Sequence, residues 1–241
     1  MQFIVFDHFN LKQMTHKEYR FFLEADRIIA GRPVNTFKRR IRLFFAPQYI
    51  ERFMFLLRKY EYLYDKKGIF NKLSLFITRY RYNKVSLKLG FSLGPNVFGP
   101  GLYIPHYGTI VVNANTKIGA NCVLHTSTCI GGSEPKTIGD NVYIGTGAII
   151  LGNITLADNV TISANSLVDK SFLESNILVG GAPAKVIKER KAWFECDDHQ
   201  RCAAAVKEIE ELRKSMFGAK SLLWISNLVV FSLDINSACL L

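Results

Sequence analysis

The sequence has no paired-cysteine motif and no recognisable secretion signal. Its five cysteines are Cys122, Cys129, Cys196, Cys202 and Cys239, and none forms a CxxC pair with another. Cysteines without such pairs usually act as small hydrophobic side chains in a reducing compartment. The N-terminal segment lacks a basic n-region and a small-residue cleavage site, so we expect no cleaved signal peptide. Together these absences predict a cytoplasmic protein.

Acidic residues are scarce in the N-terminal third. Residues 1–90 hold 19 Lys and Arg against 7 Asp and Glu, whereas residues 91–187 hold 4 against 5 and residues 188–241 hold 8 against 8. The formal charge of +11 therefore comes from the first 90 residues. Such an excess of positive charge is consistent with a solvated helical surface or with an anionic partner. A membrane surface, contacted peripherally, is one such partner.

Two other classes of site have no support in the sequence. The 5 histidines show no metal-ligand spacing, so we expect no metal site. No segment resembles a nucleic-acid-binding module, so we expect no nucleic-acid partner.

A repeat of large aliphatic residues at every sixth position organises the middle of the chain. A smaller residue stands four positions after most of them, and one interruption of eight residues includes Gly131–Thr137. A period of six matches neither the 3.6 of a helix nor the 2 of an ordinary strand. The repeated residues are Val112, Ile118, Leu124, Ile130, Ile138, Ile144, Ile150, Leu156, Ile162 and Val168.

This period predicts a β-solenoid with three flat faces per coil, in which each aliphatic side chain points to the axis. A sandwich of ordinary strands is the alternative, but it would scatter the spacing over roughly 8–12 residues. Phe98, Ile104 and Ile110 keep the step of six but lie two residues out of phase with Val112. We therefore predict a phase slip between Ile110 and Val112, close to His106.

Helices are predicted before the repeat. Thr15 and Glu18 have the form of a capping box, which opens a helix that runs to about residue 30. Further helices are expected over residues 36–45, 47–64 and 71–89, and Gly90 should end the last of them.

After the repeat, residues 179–187 should form a turn and a short extended exit. A polar helix should follow, with Val206, Ile209, Leu212 and Met216 on one side. Residues 222–241 are apolar, and for them a packed or disordered tail is favoured over a membrane anchor. The predicted organisation is a helical domain over residues 1–90, a β-solenoid over 91–188 and a helix with an apolar tail over 189–241.

Residues 90–188 resemble the hexapeptide-repeat acyltransferases and, among these, the serine acetyltransferase family. The resemblance covers about 40 % of the chain and rests on five segments. Ile104–Val112 is similar to the family's histidine motif, Ile130-Gly131-Gly132 to its Leu-Gly-Gly, Pro135–Asn141 to its Pro-x-Ile-Gly-Asp-Asn, Gly145–Ile154 to its Gly-Ala-Gly-Ala-Lys-Ile-Leu-Gly-Asn-Ile, and Gly181–Lys185 to its closing Gly-x-Pro-Ala-Lys/Arg.

The resemblance implies a fold, a reaction and an assembly. The fold is α+β, in which an N-terminal helical domain precedes a left-handed parallel β-helix of hexapeptide repeats, followed by a short C-terminal helix. The reaction moves an acetyl group from acetyl-CoA to the hydroxyl of L-serine. The assembly is a homotrimer, or a dimer of trimers, with each active site between two coils.

The resemblance also implies site residues. His106 is expected to be the general base, because the pKa of an imidazole lies near the working pH. His125 and Glu134 are candidates for binding the acceptor. Gly131 and Gly132 would bring a backbone N–H close to the reacting carbonyl. Room for the pantetheine arm is expected beside Gly145 and Ala148, and Lys136 and Lys185 are candidates for the phosphates of acetyl-CoA.

Three positions depart from the family pattern. Glu134 replaces the family's second histidine, Pro105 an aspartate before the catalytic histidine, and Phe91 a further acid. These family residues help to hold and activate serine, so two alternatives stay open. One is O-acetylation of a sugar hydroxyl in capsular or exopolysaccharide synthesis, and the other is a β-helical scaffold without catalysis.

Overall fold

The computed structural model describes residues 14–33, 48–196 and 200–218, and its centre is a solenoid of short parallel strands. The strands are β1 Phe91–Ser92, β2 Ile110–Val112, β3 Thr116–Ile118, β4 Val123–Leu124, β5 Thr128–Ile130, β6 Lys136–Ile138, β7 Tyr143–Ile144, β8 Ile149–Ile150, β9 Ile154–Leu156, β10 Thr161–Ile162, β11 Leu167–Val168, β12 Ile177–Gly180 and β13 Lys185–Glu189. The helices are α1 His16–Ile29, α2 Tyr49–Leu63, α3 Ile69–Leu89 and α4 Gln200–Phe217, and a 3-10 turn spans Trp193–Glu195.

Three sheets form the three faces of the solenoid. Sheet 1 has the order β1-β2-β5-β8-β11, sheet 2 the order β3-β6-β9 and sheet 3 the order β4-β7-β10-β12, with β13 added antiparallel to β12. Successive coils stack in register, so that Val112 pairs with Ile130 and Ile130 with Ile150. The prediction of three faces per coil is thus confirmed.

The repeated aliphatic residues fill the axis of the solenoid, as the period predicted. Ile130, Ile138, Ile150 and Ile162 are all fully buried. The residue two positions before each repeated aliphatic is also buried, and in most coils it is smaller, as with Thr128 and Val142. Burial of one such aliphatic side chain contributes about 1.5–3 kcal/mol. The large and small inward positions together explain why the faces are flat and the corners tight.

A ladder of asparagine side chains stabilises the corner between sheets 2 and 3. Asn121 donates to Asn141 (3.1 Å), Asn141 to Asn159 (2.9 Å) and Asn159 to Asn176 (3.0 Å) through their amide groups. All four have a positive φ, between 54° and 62°. Asparagine tolerates this left-handed conformation better than most residues, so it turns the chain and links the coils at the same time.

The helical segments follow the predicted boundaries closely. The capping box at Thr15 is present, because its side chain accepts from Glu18 N and the Glu18 carboxylate accepts from Thr15 N. Helix α3 begins at Ile69, two residues before the predicted start, and ends at Gly90 in the left-handed conformation. The helix predicted over residues 36–45 and the tail over residues 222–241 lie outside the described residues.

Helices α1 and α4 cover the outer face of sheet 3. Their apolar side chains, among them Phe21 and Ile209, form one cluster with Val123 of β4 and with Trp193. The Trp193 indole N–H donates to Asn121 O (3.0 Å), which fixes the C-terminal segment across the coils. None of the described helices combines the length and the apolar character that crossing a membrane requires.

A buried ion cluster fastens the helices to the first coil. The Arg58 guanidinium, with 0 % of its side chain exposed, donates to both oxygens of Asp26 (2.8 and 3.2 Å) and to Glu61 (2.9 Å). It also donates to the carbonyls of Phe98 (2.9 Å) and Gly99 (2.7 Å). All five N–H donors of the arginine are therefore used in one site that joins α1, α2 and the solenoid.

The two carboxylates extend this cluster into the first coil. Asp26 Oδ1 accepts from the backbone N–H groups of Gly101 (3.0 Å) and Leu102 (2.9 Å), and Glu61 Oε1 accepts from Asn96 N (2.9 Å). Burial raises the pKa of Glu61, against the opposing effect of Arg58. Burial also works against the charge of Arg58, but Asp26 and Glu61 raise its pKa above the ordinary value.

Replacement of Arg58 by Met should destabilise the protein strongly. It leaves Asp26 and Glu61 buried without a cation, which typically costs about 3–5 kcal/mol in the free energy of unfolding. Burial will then raise the pKa of Glu61 without the opposing effect of Arg58, so the folded form will bind more protons than the unfolded form. The deficit should therefore shrink as the pH falls below neutral. Urea unfolding of the variant and the wild type at several pH values measures both effects.

The matched control is Arg52→Met, since Arg52 is an exposed arginine on the same helix. It should change the free energy of unfolding by no more than about 0.5 kcal/mol. An Arg58→Met variant as stable as this control would contradict the role of the cluster.

Candidate active site

His106 lies at the apex of an enlarged corner between sheets 3 and 1. Six residues separate Tyr103 from Ile110, whereas four separate their partners Val123 and Thr128 on the next coil. The two additional residues push the corner outward, and His106 is exposed there. The phase slip is therefore in the loop that contains His106, and its predicted position after Ile110 was wrong, because Ile110 already pairs in register.

Backbone hydrogen bonds hold this corner on both sides. Gly108 N donates to Leu89 O (3.1 Å) and Ile110 N to Gly90 O (3.0 Å), so the end of α3 fixes it from above. From below, Ser127 N donates to Thr109 O (2.6 Å). The enlarged corner is thus a fixed part of the solenoid that presents His106 to solvent.

His125 lies at the same corner, one coil below. Its backbone N–H donates to Ile144 O (3.1 Å), and its half-buried ring lies 4.9 Å from the ring of Tyr143. Burial raises the pKa of Tyr143, against an opposing effect of Arg190. The structure therefore brings His106 and His125 to one edge, with His125 closer to the surface of sheet 3.

The glycine loop, residues 131–135, lies at the other edge of sheet 1. Gly132 has φ +83°, a conformation that favours glycine, and a Cβ there would meet the Glu134 carboxylate. The Asn113 amide donates to Gly132 O (2.5 Å) and the Asn115 amide to Ser133 O (2.9 Å). Two asparagines of the coil above therefore hold the shape of this loop.

Lys136 has a structural position that the sequence analysis did not foresee. Its side chain is 1 % exposed, because it occupies the small inward position of β6 between Thr116 and Ile154 of the neighbouring coils. Its ammonium donates to Glu134 O (2.9 Å) and supports the glycine loop from inside. The expectation that Lys136 lies at the surface and meets phosphates is corrected, since this side chain faces the interior.

Two more residues assigned to the donor groove have a different role. A Cβ at Gly145 would lie 2.7 Å from Ile162 O and 2.8 Å from Ala164 N, so glycine is required there by the stacking of coils. Ala148 is fully buried in the axial core. Neither residue leaves room for a pantetheine arm, and this expectation is corrected. Lys185, by contrast, is exposed at the end of the solenoid.

The three residues that depart from the family pattern have different environments. Phe91 is 5 % exposed and its ring lies 5.0 Å from that of Phe53, so this position is part of the core. Pro105 is half-buried beside His106, and Glu134 is exposed in the glycine loop. Of the three, only Glu134 offers an ionisable group.

The outer face of sheet 1 separates the two corners and is apolar. Val111 is 36 % exposed, Ile149 39 % and Leu151 40 %, and Cys129 and Leu167 are half-buried. Sheet 2 has polar residues at its equivalent positions, and sheet 3 is covered by helices. At about 3.3 Å per residue, the His106 corner and the glycine loop lie roughly 10–15 Å apart on one chain.

Sequence reasoning missed the asparagine braces and the buried lysine. Asn113 and Asn115 lie just after β2, and the sequence signal is a polar pair one coil before the interruption of the repeat. Lys136 stands two positions before Ile138, where every other coil has a smaller or apolar residue. That position alone indicated an inward side chain.

Replacement of Asn113 by Asp should loosen the glycine loop. The carboxylate keeps the acceptor for Asn115 N (2.6 Å) but faces Gly132 O with an oxygen in place of a donor. Loss of one hydrogen bond of about 1–1.5 kcal/mol corresponds to roughly tenfold faster opening. Amide hydrogen exchange of peptides covering residues 131–135 measures this rate. Asn153→Asp, the same change at an exposed position one coil below the loop, should leave exchange in the loop unchanged. Equal rates in both variants would contradict the bracing role.

Known proteins resemble this chain in sequence and in fold. Residues 135–170 match the family model described as bacterial transferase hexapeptide (six repeats). Serine acetyltransferase from Staphylococcus xylosus is 29 % identical over 159 residues, which are 63 % of this chain and 70 % of that protein.

Two solved structures share the fold. Neisseria gonorrhoeae serine acetyltransferase aligns with a TM-score of 0.54 and 23 % identity over 77 % of this chain and 72 % of that one. Brucella abortus serine acetyltransferase in complex with Coenzyme A aligns with a TM-score of 0.55 and 22 % identity over 73 % and 70 %. These matches confirm the predicted fold, a left-handed β-helix with flanking helices. Together with the matched repeats, they show that this chain is similar in sequence and in fold to hexapeptide-repeat proteins named serine acetyltransferase.

Proposed function

We propose that this protein is an acetyl-CoA-dependent O-acetyltransferase that transfers the acetyl group to the hydroxyl of L-serine. The observation that supports this most directly is His106, an exposed histidine on a fixed, enlarged corner within a histidine motif similar to that of the serine acetyltransferases. The relatives named serine acetyltransferase support serine as the acceptor, and the Brucella abortus structure in complex with Coenzyme A supports the donor.

His106 serves as the general base in this proposal. Its imidazole takes the proton from the serine hydroxyl while the oxygen attacks the thioester carbonyl of acetyl-CoA. The tetrahedral intermediate then collapses, the C–S bond breaks, and the imidazolium returns the proton to the departing thiolate of CoA. The products are O-acetylserine and CoA with a free thiol. A backbone N–H of the glycine loop supplies the hydrogen bond to the oxyanion.

The separation of the two corners indicates that one active site uses two chains. A base and an oxyanion donor must both lie within about 3 Å of the reacting atoms. On one chain, His106 and the glycine loop lie at opposite edges of sheet 1. The apolar outer face of that sheet provides a surface for a neighbouring copy, which would bring its glycine loop to the His106 of the first chain. We therefore infer a cyclic homotrimer, in which three equivalent interfaces give three sites.

A sugar hydroxyl is a second candidate for the acceptor. Phe91 and Pro105 stand where the resemblance implies acids that hold serine, and Phe91 is buried in the core. The acids would bind the ammonium group of serine. A neutral, polyhydroxylated acceptor has no such group and does not need them. The catalytic step at His106 would be the same, so the two candidates differ only in the acceptor.

Release of the CoA thiol from acetyl-CoA tests the proposal. The wild type should release thiol with L-serine above the background rate, and His106→Ala should lower kcat by at least about 100-fold because general-base catalysis is lost. Binding of acetyl-CoA, measured by calorimetry, should persist in the variant. His16→Ala is the control, since His16 is an exposed histidine on α1 far along the chain from the corner, and it should keep wild-type turnover.

Each outcome of this assay decides between the candidates. Thiol release with monosaccharide acceptors but none with L-serine would assign the sugar and reject serine. Full turnover in His106→Ala would reject the general base. Absence of acetyl-CoA binding by the wild type would favour a scaffold without catalysis.

Mixed assemblies test the contribution of two chains to one site. Gly132→Val should inactivate the loop, because its Cβ would meet the Glu134 carboxylate and its φ is positive. In trimers co-assembled from equal amounts of His106→Ala and Gly132→Val chains, about one site in four should receive both intact parts from different chains. Activity should therefore recover to about one quarter of the wild type, although each variant alone is inactive. No recovery in trimers shown to be mixed would assign both parts to a single chain.

A further inference from the structure

Helix α3 is apolar on two opposite sides. Thr78, Tyr82, Val85 and Leu89 are buried against the rest of the protein. At 100° per residue, a second apolar set lies on the opposite side of the helix and forms what we call the outer stripe. Its members are Ile69, Phe70, Leu73, Phe76, Ile77, Tyr80 and Leu87, which are between 48 % and 85 % exposed. A surface helix ordinarily has polar residues there, so the outer stripe requires an explanation.

The charge of the same helix is entirely positive. Helix α3 contains no Asp or Glu, and its five cations are all exposed. At 100° per residue, Lys72 and Arg79 lie along one flank of the outer stripe and Arg81 and Lys88 along the other. The Lys84 ammonium lies within the stripe, 4.7 Å from the ring of Tyr80. Cations therefore surround an apolar band along the whole helix.

A groove beside the outer stripe repeats this combination. It has a volume of about 310 Å³ and lies between α2 and α3. Its walls include Phe55, Leu73 and Ile77, and its rim includes the cations Arg52 and Lys59 of α2 with Arg81 of α3. An apolar cleft rimmed by three cations suits a ligand that has both an acyl chain and an anionic headgroup.

We propose that the outer stripe and this groove bind the surface of a bilayer that contains anionic lipid. The apolar residues would enter the interface between headgroups and acyl chains, and the cations would meet the headgroups, which is the arrangement of interfacial amphipathic helices. This surface is distinct from the His106 corner and from the apolar face of sheet 1, so the proposal does not depend on the proposed acetyl transfer.

A second copy of the chain fits this surface poorly. A symmetric contact between two α3 helices would place five cations opposite five cations, with no acidic residue on either helix to compensate them. An anionic bilayer complements both the charge and the apolar band. Charge complementarity therefore selects the lipid surface as the occupant.

Co-sedimentation of the full chain with vesicles tests the proposal. Vesicles of phosphatidylcholine mixed with phosphatidylglycerol should bind the protein, vesicles of phosphatidylcholine alone should bind it much less, and added salt should weaken binding. The triple variant Lys72→Gln, Arg79→Gln, Lys84→Gln should weaken binding by about 100-fold, since each cation near an anionic surface contributes about fivefold. The control triple variant Lys170→Gln, Lys188→Gln, Lys191→Gln removes three exposed cations elsewhere and should bind nearly as well as the wild type.

A second variant separates the apolar contribution. Phe70→Ser, Leu73→Ser, Phe76→Ser keeps every charge and should also abolish most of the binding. Because all three side chains are exposed, its midpoint of thermal unfolding should match that of the wild type.

Three results would overturn the proposal. Equal loss of binding in the α3 charge variant and in the control variant would show that binding depends only on the net charge of the protein. Unchanged binding in both α3 variants would assign vesicle binding to another segment. A mass from light scattering that halves in the apolar variant would show that a second copy occupies the outer stripe.

Discussion

In-register stacking of coils is the constraint on which the rest of this structure depends. Each coil hydrogen-bonds to the next through all three sheets. A side chain therefore points the same way as its partner in the next coil only if the two coils have the same number of residues per face. Axial residues such as Ile130 and Ile150 meet because this number is six. Extra residues cannot be absorbed within a face, and they must leave the solenoid at a corner.

Two of the places where the chain departs from six residues per face have the candidate chemistry. One extrudes His106 and the other extrudes the glycine loop. Both remain fixed, because neighbouring elements supply their hydrogen-bond partners: Leu89 and Ser127 at the first corner, Asn113 and Asn115 at the second. A regular solenoid thus provides exposed, well-positioned groups at its irregular corners while the faces remain closed.

Periodicity allowed much of this fold to be predicted from sequence, because an inward aliphatic at every sixth position has one geometric solution. It did not reveal the directions of individual side chains that break the pattern. Lysine is usually exposed, which favours a surface position for Lys136, yet its position two before Ile138 directs the side chain inward. The small size of Gly145 and Ala148 suggests space for a ligand, although the stacking of coils already uses both. The ion cluster of Arg58 joins residues 26, 58 and 61 to residues 96–102, and no local pattern encodes such a contact.

The Arg58 cluster also explains how the basic helices and the candidate active site form one unit. It binds α1 and α2 to the first coil, while the carbonyls at the end of α3, Leu89 O and Gly90 O, accept hydrogen bonds from the corner that presents His106. Helix α3 has 21 residues, so it extends roughly 30 Å away from that corner. Any surface that holds α3 therefore also fixes where His106 lies, because no flexible linker separates them. An acceptor attached to the same surface would meet His106 at a fixed distance from that surface. A small acceptor from solution would reach His106 whatever the orientation of the protein on the surface. The orientation of the basic helix and the position of the imidazole are therefore set together by one set of backbone hydrogen bonds.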